Sequence, residues 1–369
     1  MKKLNNISNI IFYNVLLFFV LIFFIELTLY SIRVLVLDKP SIGFLYNSNF
    51  QEIDGCQDMI SHPFYGYVHN NNSDCEIKGG FKKGPFVYYD SYDSNRESII
   101  VFGGSTTDGY YNHVSNGYTW PYYLQKLINE RKLNINVINA GTGGYNSDQE
   151  LLKLIIDAKK IKSKIIHVIC LNGINDVENY KALPEIIKNK MPYFDYNIIK
   201  MFDKKIYLDQ SISNINFLPN IIYLFKYLKD YNTNIKSDFF ISSFDKNYSI
   251  NKGSDNWYFN VKLMKKVSEL INAKFKVFIQ PTMGVNGQVP KEKKTKDFKI
   301  YSDQMTPEYY TLINEHYEAL KSYCSQIDFC EDISDIAPPI GNNYSDIRHH
   351  NEYGNKILAD EIFNRIFQN

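Results

Sequence analysis

The sequence predicts an α/β protein built on a parallel sheet covered by helices on both faces. Three observations carry this. Short apolar runs that barely alternate, Ser98–Phe102 and Lys164–Leu171 foremost, have the character of strands buried on both sides. Stretches with apolar residues at helical spacing separate them. Turns rich in glycine and asparagine follow the runs directly, as loops at the carboxyl edge of such a sheet do.

Taken in order, the chain of 369 residues opens with Lys2 and Lys3, then Ile7–Ile25, 19 residues without a charge. That length suffices for a helix to cross a hydrocarbon core. Apolar character continues past Glu26 and Arg33 to Leu37. The run is long and no Ala-x-Ala-like site follows it, which favours a retained transmembrane anchor over a cleaved signal peptide. Two lysines hold the N-terminus in the cytoplasm, so the bulk of the chain is expected in a periplasmic or extracellular space. Residues 1–37 are therefore read as a cytoplasmic stub and membrane anchor.

Residues 38–96 form a lead-in with little pattern, marked by His62-Pro-Phe-Tyr-Gly-Tyr67 and Lys82-Lys-Gly-Pro85, and predict loops and short strands. The main domain spans 97–369. Ser98–Phe102 is its first strand. Thr119–Lys132 is a helix, with Trp120, Tyr123, Leu124 and Leu127 on one stripe. Asn136–Asn139 is a short strand, and Asp148–Ile161 a helix on the spacing of Leu151, Leu154, Ile155 and Ala158. Strands follow at Lys164–Leu171 and Phe275–Gln280, then helices at Pro307–Ser325 and Asn351–Phe367. Residues 178–262 break the rhythm. They are rich in Tyr, Asn, Lys and Phe, hold one amphipathic piece at Leu218–Leu228, and read as an insertion forming a lid or binding surface.

Net charge is +1, which gives no bulk attraction to nucleic acid. Of the five cysteines, Cys56 with Cys75 and Cys324 with Cys330 are close enough in sequence to form disulfides in an oxidising compartment, and Cys170 reads as a buried thiol. There is no Cys-x-x-Cys and the histidines lack ligand spacing, so no metal is expected. Neither glycine-rich turn carries a P-loop lysine, and no Gly-x-Gly-x-x-Gly follows the first strand, so no nucleotide cofactor is expected. His167 lies inside a strand and reads as structural. Trp120 and Trp257 read as packing residues, with a sugar-stacking role open for Trp257.

Four loops carry the chemistry. Gly103-Gly-Ser-Thr106 presents a serine at a strand end. Asn139-Ala-Gly-Thr-Gly-Gly-Tyr-Asn-Ser147 and Leu171-Asn-Gly-Ile-Asn-Asp176 follow the next two strands. Asp346-Ile-Arg-His349 precedes Gly354 and the last helix. Ser105 is the candidate nucleophile, which needs a base to take its proton. His349 is that base, and Asp346 can bond its other nitrogen and fix the tautomer. The backbone N–H groups of Ser105 and Gly144 and the Asn175 amide can serve as oxyanion donors. Asp176 reads as a residue orienting its loop, while Thr106, Asp108 and Tyr145 are candidates for shaping the pocket.

These four segments resemble the four blocks of the SGNH hydrolases, the GDSL esterase/lipase superfamily, over residues 97–177 and 275–367. The resemblance implies a flavodoxin-like three-layer α/β/α sandwich around a central parallel sheet. It also implies Ser105, Gly144, Asn175 and His349 as the four named catalytic residues, with Asp346 completing an Asp-x-x-His block. Two departures stand out. Gly-Gly-Ser-Thr replaces Gly-Asp-Ser, and His350 lies beside His349 as a rival base; the Asp-x-x-His spacing selects His349. Phe278-Ile-Gln-Pro281 resembles a strand end of members tied to surface polysaccharides. The expected activity is hydrolysis of an ester, an O-acetyl group on a cell-surface glycan. An O-acyltransferase using the same residues and a non-enzymatic glycan-binding module are the alternatives.

Overall fold

The computed structural model describes residues 2–35, 59–62, 64–69, 75–77, 80–89, 92–109, 118–177 and 246–367. The chain divides into two compact units, Met1–Ile53 with Lys204–Phe239, and Asp54–Asp203 with Phe240–Asn369. In the first, one helix, α1, is described over Lys2–Leu35. Its large apolar side chains from Val15 to Ile25 are largely exposed, Leu17 at 60% and Phe18 at 61%. Among the described residues no helix is long and apolar enough to cross a membrane; the side chains of α1 are described for 13–28 and Ser31. Cys56, residues 178–245 of the predicted insertion and its amphipathic piece Leu218–Leu228 lie outside the described residues.

The second unit holds the expected sheet. Its strands are β1 (Met59–His62), β2 (Gly66–His69), β3 (Cys75–Ile77), β4 (Gly80–Lys83), β5 (Phe86–Tyr88), β6 (Glu97–Gly103), β7 (Ile135–Asn139), β8 (Ile165–Asn172), β9 (Lys274–Ile279) and β10 (Cys330–Asp332). β1 and β2 form a separate antiparallel pair, and the other eight are ordered β10-β9-β8-β6-β7-β5-β4-β3. The five from β6 to β10 are mutually parallel. Numbered along the chain, they run 2-1-3-4-5, the flavodoxin-like doubly wound order. β5 joins β7 antiparallel, and β4 and β3 follow antiparallel. The sheet is thus mixed, where the sequence predicted a parallel one. Its antiparallel half comes from the lead-in, in strands of three or four residues too short to show a period.

Side chains alternate across this sheet with period two. Ile100, Phe102, Val168, Cys170, Val277 and Ile279 enter one core. Ile99, Val101, Ile169, Leu171 and Phe278 enter the other. The first core is closed by α4 (Ser147–Asp157), α5 (Lys246–Leu270) and α7 (Pro307–Cys324), the second by α3 (Trp120–Glu130) and α8 (Glu352–Phe367). Covering both faces explains why the strands read as unbroken apolar runs. Helix starts follow local chemistry: Asn146 and Gln149 form a reciprocal capping box on α4, while Thr306 accepts the Tyr309 N–H ahead of Pro307 on α7.

Some of these features depart from the sequence reading and others agree with it. α5 begins at Lys246, inside the predicted insertion, and its Ile250, Trp257 and Val261 are core residues. Trp257 is fully buried with its indole N–H toward Asn172 Oδ1 at 3.4 Å, which removes it as a sugar platform. β10 and α6 (Lys296–Gln304) were not anticipated, being three and nine residues long. Cys324 and Cys330 are joined as a disulfide, and Cys170 is a buried free thiol.

Candidate active site

The parallel strands deliver the four predicted loops to one edge. Ser105 begins α2 (Ser105–Asp108), a single turn directly after β6. The loop holding His349 lies between β10 and α8. It is docked by Met283 N–H on Ile347 O at 3.0 Å, just beyond β9. Asp297 of α6, fully buried, accepts the backbone N–H groups of Gly341, Asn343 and Tyr344 at 3.1–3.2 Å, and so shapes the approach to that loop. Asp297 carries no signal in the sequence; only the docked loop gives it a role.

Ser105 Oγ lies 2.6 Å from His349 Nε2, across 244 positions of sequence. His349 Nδ1 lies 2.6 Å from Asp346 Oδ2. The other oxygen, Oδ1, accepts the N–H groups of Arg348 at 2.8 Å and His349 at 2.9 Å. One carboxylate therefore folds its own turn and orients the ring. A carboxylate only accepts, so Nδ1 carries the proton and Nε2 is left as the acceptor for the serine hydroxyl. Burial pushes the Asp346 carboxyl up, but His349 and the two N–H groups outweigh it and hold it well below the usual carboxylate range.

His350 points elsewhere. It is fully buried, its ring packs on Tyr344 at 4.4 Å, and neither ring nitrogen has a hydrogen-bond partner. Burial, then the neighbouring His349, pushes it down to about 3. A neutral imidazole packed there cannot serve Ser105, and the Asp-x-x-His spacing singled out the histidine that does face it.

The candidate oxyanion donors are tied together by the backbone. Thr142 N–H reaches Gly103 O at 3.0 Å, and the Asn175 amide donates to Tyr145 O at 2.8 Å, linking the first three loops. That bond uses one of two amide hydrogens and leaves the other for an oxyanion. A Cβ at Gly104 would stand 2.1 Å from Asn175 Nδ2, so glycine at 104 is what lets the amide lie against the backbone beside Ser105. Gly144 sits at φ +76°, a conformation that favours glycine.

Behind the loops lies a buried polar cluster that the sequence disclosed only at Asp176. Asp176 Oδ1 accepts the Ser147 N–H at 3.1 Å and its hydroxyl at 2.5 Å. Asp148 accepts from Asn260 at 2.7 Å and from Asn256. Glu150 takes both hydrogen bonds from Asn172, at 2.8 and 2.9 Å. Burial pushes Asp148 and Asp176 up to about 7 and Glu150 well above its ordinary range. Lys153, buried and pushed down to about 8 by desolvation, donates to Ala140 O at 2.7 Å and Thr142 Oγ1 at 2.9 Å.

Thr106, Asp108 and Tyr145 are buried, and Asp108 pairs with His69. His167 borders Phe367, and burial pushes it down to about 4. Among the described residues no cluster of His, Cys, Asp or Glu could hold a metal ion.

Residues 101–236 match the model of the GDSL-like Lipase/Acylhydrolase family. Ser105, Gly144 and Asn175 fall inside that match; Asp346 and His349 lie beyond it. Among solved structures, an acetyl xylan esterase is similar at 12% identity and TM-score 0.40, covering 73% of this chain and all of that one. A psychrotrophic esterase from a Pseudoalteromonas species is similar at 13% and 0.38, covering 75% and 98%. An acetylxylan esterase from Geobacillus stearothermophilus is similar at 12% and 0.38, covering 74% and 95%. No curated protein matches the sequence. The family match, together with the serine–histidine–aspartate relay, supports an ester hydrolase.

Proposed function

We propose that this chain, with its GDSL-like acylhydrolase match, is a serine ester hydrolase that removes O-acetyl groups from a cell-surface glycan. The observation that carries the chemistry is the unbroken relay of Ser105 Oγ, His349 and Asp346, with both links at 2.6 Å. Ser105 attacks the ester carbonyl as its proton passes to His349 Nε2. The carbonyl oxygen becomes an oxyanion that the Ser105 and Gly144 N–H groups and the Asn175 amide stabilise. Collapse expels the alcohol, which takes the proton back from His349. Water, deprotonated by the same nitrogen, then releases the acyl group as a carboxylic acid and frees the serine.

The glycan and the acetyl group are the finer part of the proposal and rest on location. The uncharged run Ile7–Ile25 behind Lys2 and Lys3, and the exposed apolar side chains along α1, support an anchor with the catalytic unit outside the cytoplasm. Resistance of the chain to alkaline carbonate extraction from membranes tests the anchor; release into the wash rejects it.

For the activity, the full chain in detergent is compared with Ser105→Ala on p-nitrophenyl acetate and on an O-acetylated glycan. Serine-dependent acetate release from both is expected. A folded wild-type protein that releases none from either sinks the reading. Acyl transfer to an added glycan hydroxyl that outpaces hydrolysis would make the same site a transferase.

A further inference from the structure

The oxyanion loop is gripped from outside the catalytic core. Its central peptide joins Gly143 to Gly144, and the N–H of Gly144 is one of the three candidate donors. A trans peptide is planar, so its C=O and N–H point in opposite directions; among the described residues no peptide is cis. Whatever fixes the Gly143 carbonyl therefore aims the Gly144 N–H. That carbonyl accepts the hydroxyl of Tyr67 at 2.8 Å. One peptide back along the same backbone, the Gly143 N–H donates to Asp108 Oδ2 at 2.7 Å.

Asp108 is held in turn. His69 Nε2 lies 3.0 Å from both of its carboxylate oxygens, and both side chains are buried. Since the carboxylate only accepts, Nε2 carries the proton. Tyr67 and His69 are two apart on β2 and so share a face of that strand. The loop answers back through the Tyr145 hydroxyl, which donates to Tyr67 O. Tyr67 of β2 and Asp108 of the turn after β6 thus grip the two successive peptides on either side of Gly143.

We propose that Tyr67, and His69 acting through Asp108, are positioning residues of the oxyanion hole, so that the lead-in strand β2 is part of the catalytic apparatus. This rests on the ester-hydrolase reading of the site. Tyr67→Phe deletes one hydrogen bond and keeps the ring. Asp108→Asn keeps an acceptor for Gly143 N–H, whereas Asp108→Ala removes it; His69→Gln loosens the carboxylate.

The test is the rate at which a fluorophosphonate labels Ser105 in the full chain, because phosphonylation also develops an anionic oxygen in that hole, read beside kcat and KM for p-nitrophenyl acetate. Labelling rate and kcat should fall together by on the order of 10–10²-fold in Tyr67→Phe and Asp108→Ala, with KM near wild type in both and Tm near wild type in Tyr67→Phe, since misaiming a catalytic group by about 1 Å costs this much. Asp108→Asn should recover most of the loss. Wild-type rates in folded Tyr67→Phe overturn the proposal and leave the hydrolase reading intact. Should Asp108→Ala not fold, Tyr67→Phe and His69→Gln decide it, and equal rates in both reject it. A folded wild type that the probe does not label at Ser105 rejects the hydrolase reading and this one with it.

Discussion

Two sets of carboxylates in the second unit behave in opposite ways. Asp346, in the loop after β10, has a histidine on one oxygen and two backbone N–H groups on the other, and is driven toward ionisation. Asp148, Asp176 and Glu150, behind the second and third loops, are bonded by amides and a hydroxyl and are driven toward the protonated form. Asp346 and Asp176 share a side chain and burial works upward on both. The difference lies in the partner: an imidazole that can become a cation repays ionisation in a way that neutral amides do not. The first group is arranged for charge to develop beside it, and the second for rigidity beneath it.

The strongest way to break the comparison is to remove the imidazole. His349→Ala and Ser105→Ala should each lower kcat by about 10⁴-fold or more, as losses of triad members do, with folding retained by circular dichroism. Next comes the charge itself. Asp346→Asn should lower kcat by roughly 10³–10⁴-fold, because an amide favours the wrong tautomer of His349. Asp176→Asn should change kcat by less than about 10-fold, since asparagine keeps the acceptor that Ser147 uses and the carboxyl is already disposed to hold its proton. Equal losses in these two variants would erase the distinction. Between them falls Asn175→Ala, at about 10²–10³-fold in kcat, the usual cost of one oxyanion donor.

The smallest effect sharpens the comparison through pH. Asp148 and Asp176 have folded-state values raised to about 7, so the folded protein binds protons that the unfolded chain releases. Their stabilising contribution is complete below the ordinary aspartate range, near about pH 4, and is lost as pH rises through about 7. The melting temperature of Asp176→Asn should therefore fall less than that of the wild type between about pH 5 and about pH 8. A difference of about 2–4 °C corresponds to roughly 1 kcal/mol in a domain of moderate size. Identical falls would place the Asp176 titration outside that window.

How much of this was legible varies with the range of the interaction that makes each part. β6 and β8 announce themselves because both faces are covered, which leaves runs such as Ile99-Ile-Val-Phe102 in the sequence. Ser105, Gly144, Asn175, Asp346 and His349 could be named because the strand ends deliver them and Asp-x-x-His is a local turn. β3 to β5 were hidden by brevity, and α5 was not read as a helix, its first ten residues, Lys246 to Asp255, being mostly polar. Tyr67, His69 and Asp297 gave nothing away. Each acts on a backbone group far along the chain, and no spacing records such a bond.

The relay between Ser105 and His349 spans 244 positions, and the histidine loop is seated on α6 and on the segment just after β9. During synthesis the nucleophile therefore emerges long before the base that activates it. A nascent or truncated chain ending before Asp346 carries an unactivated serine, whatever portion of the sheet it has formed. Competence waits for the last segment to dock, and until then the chain lacks the base that activates its serine.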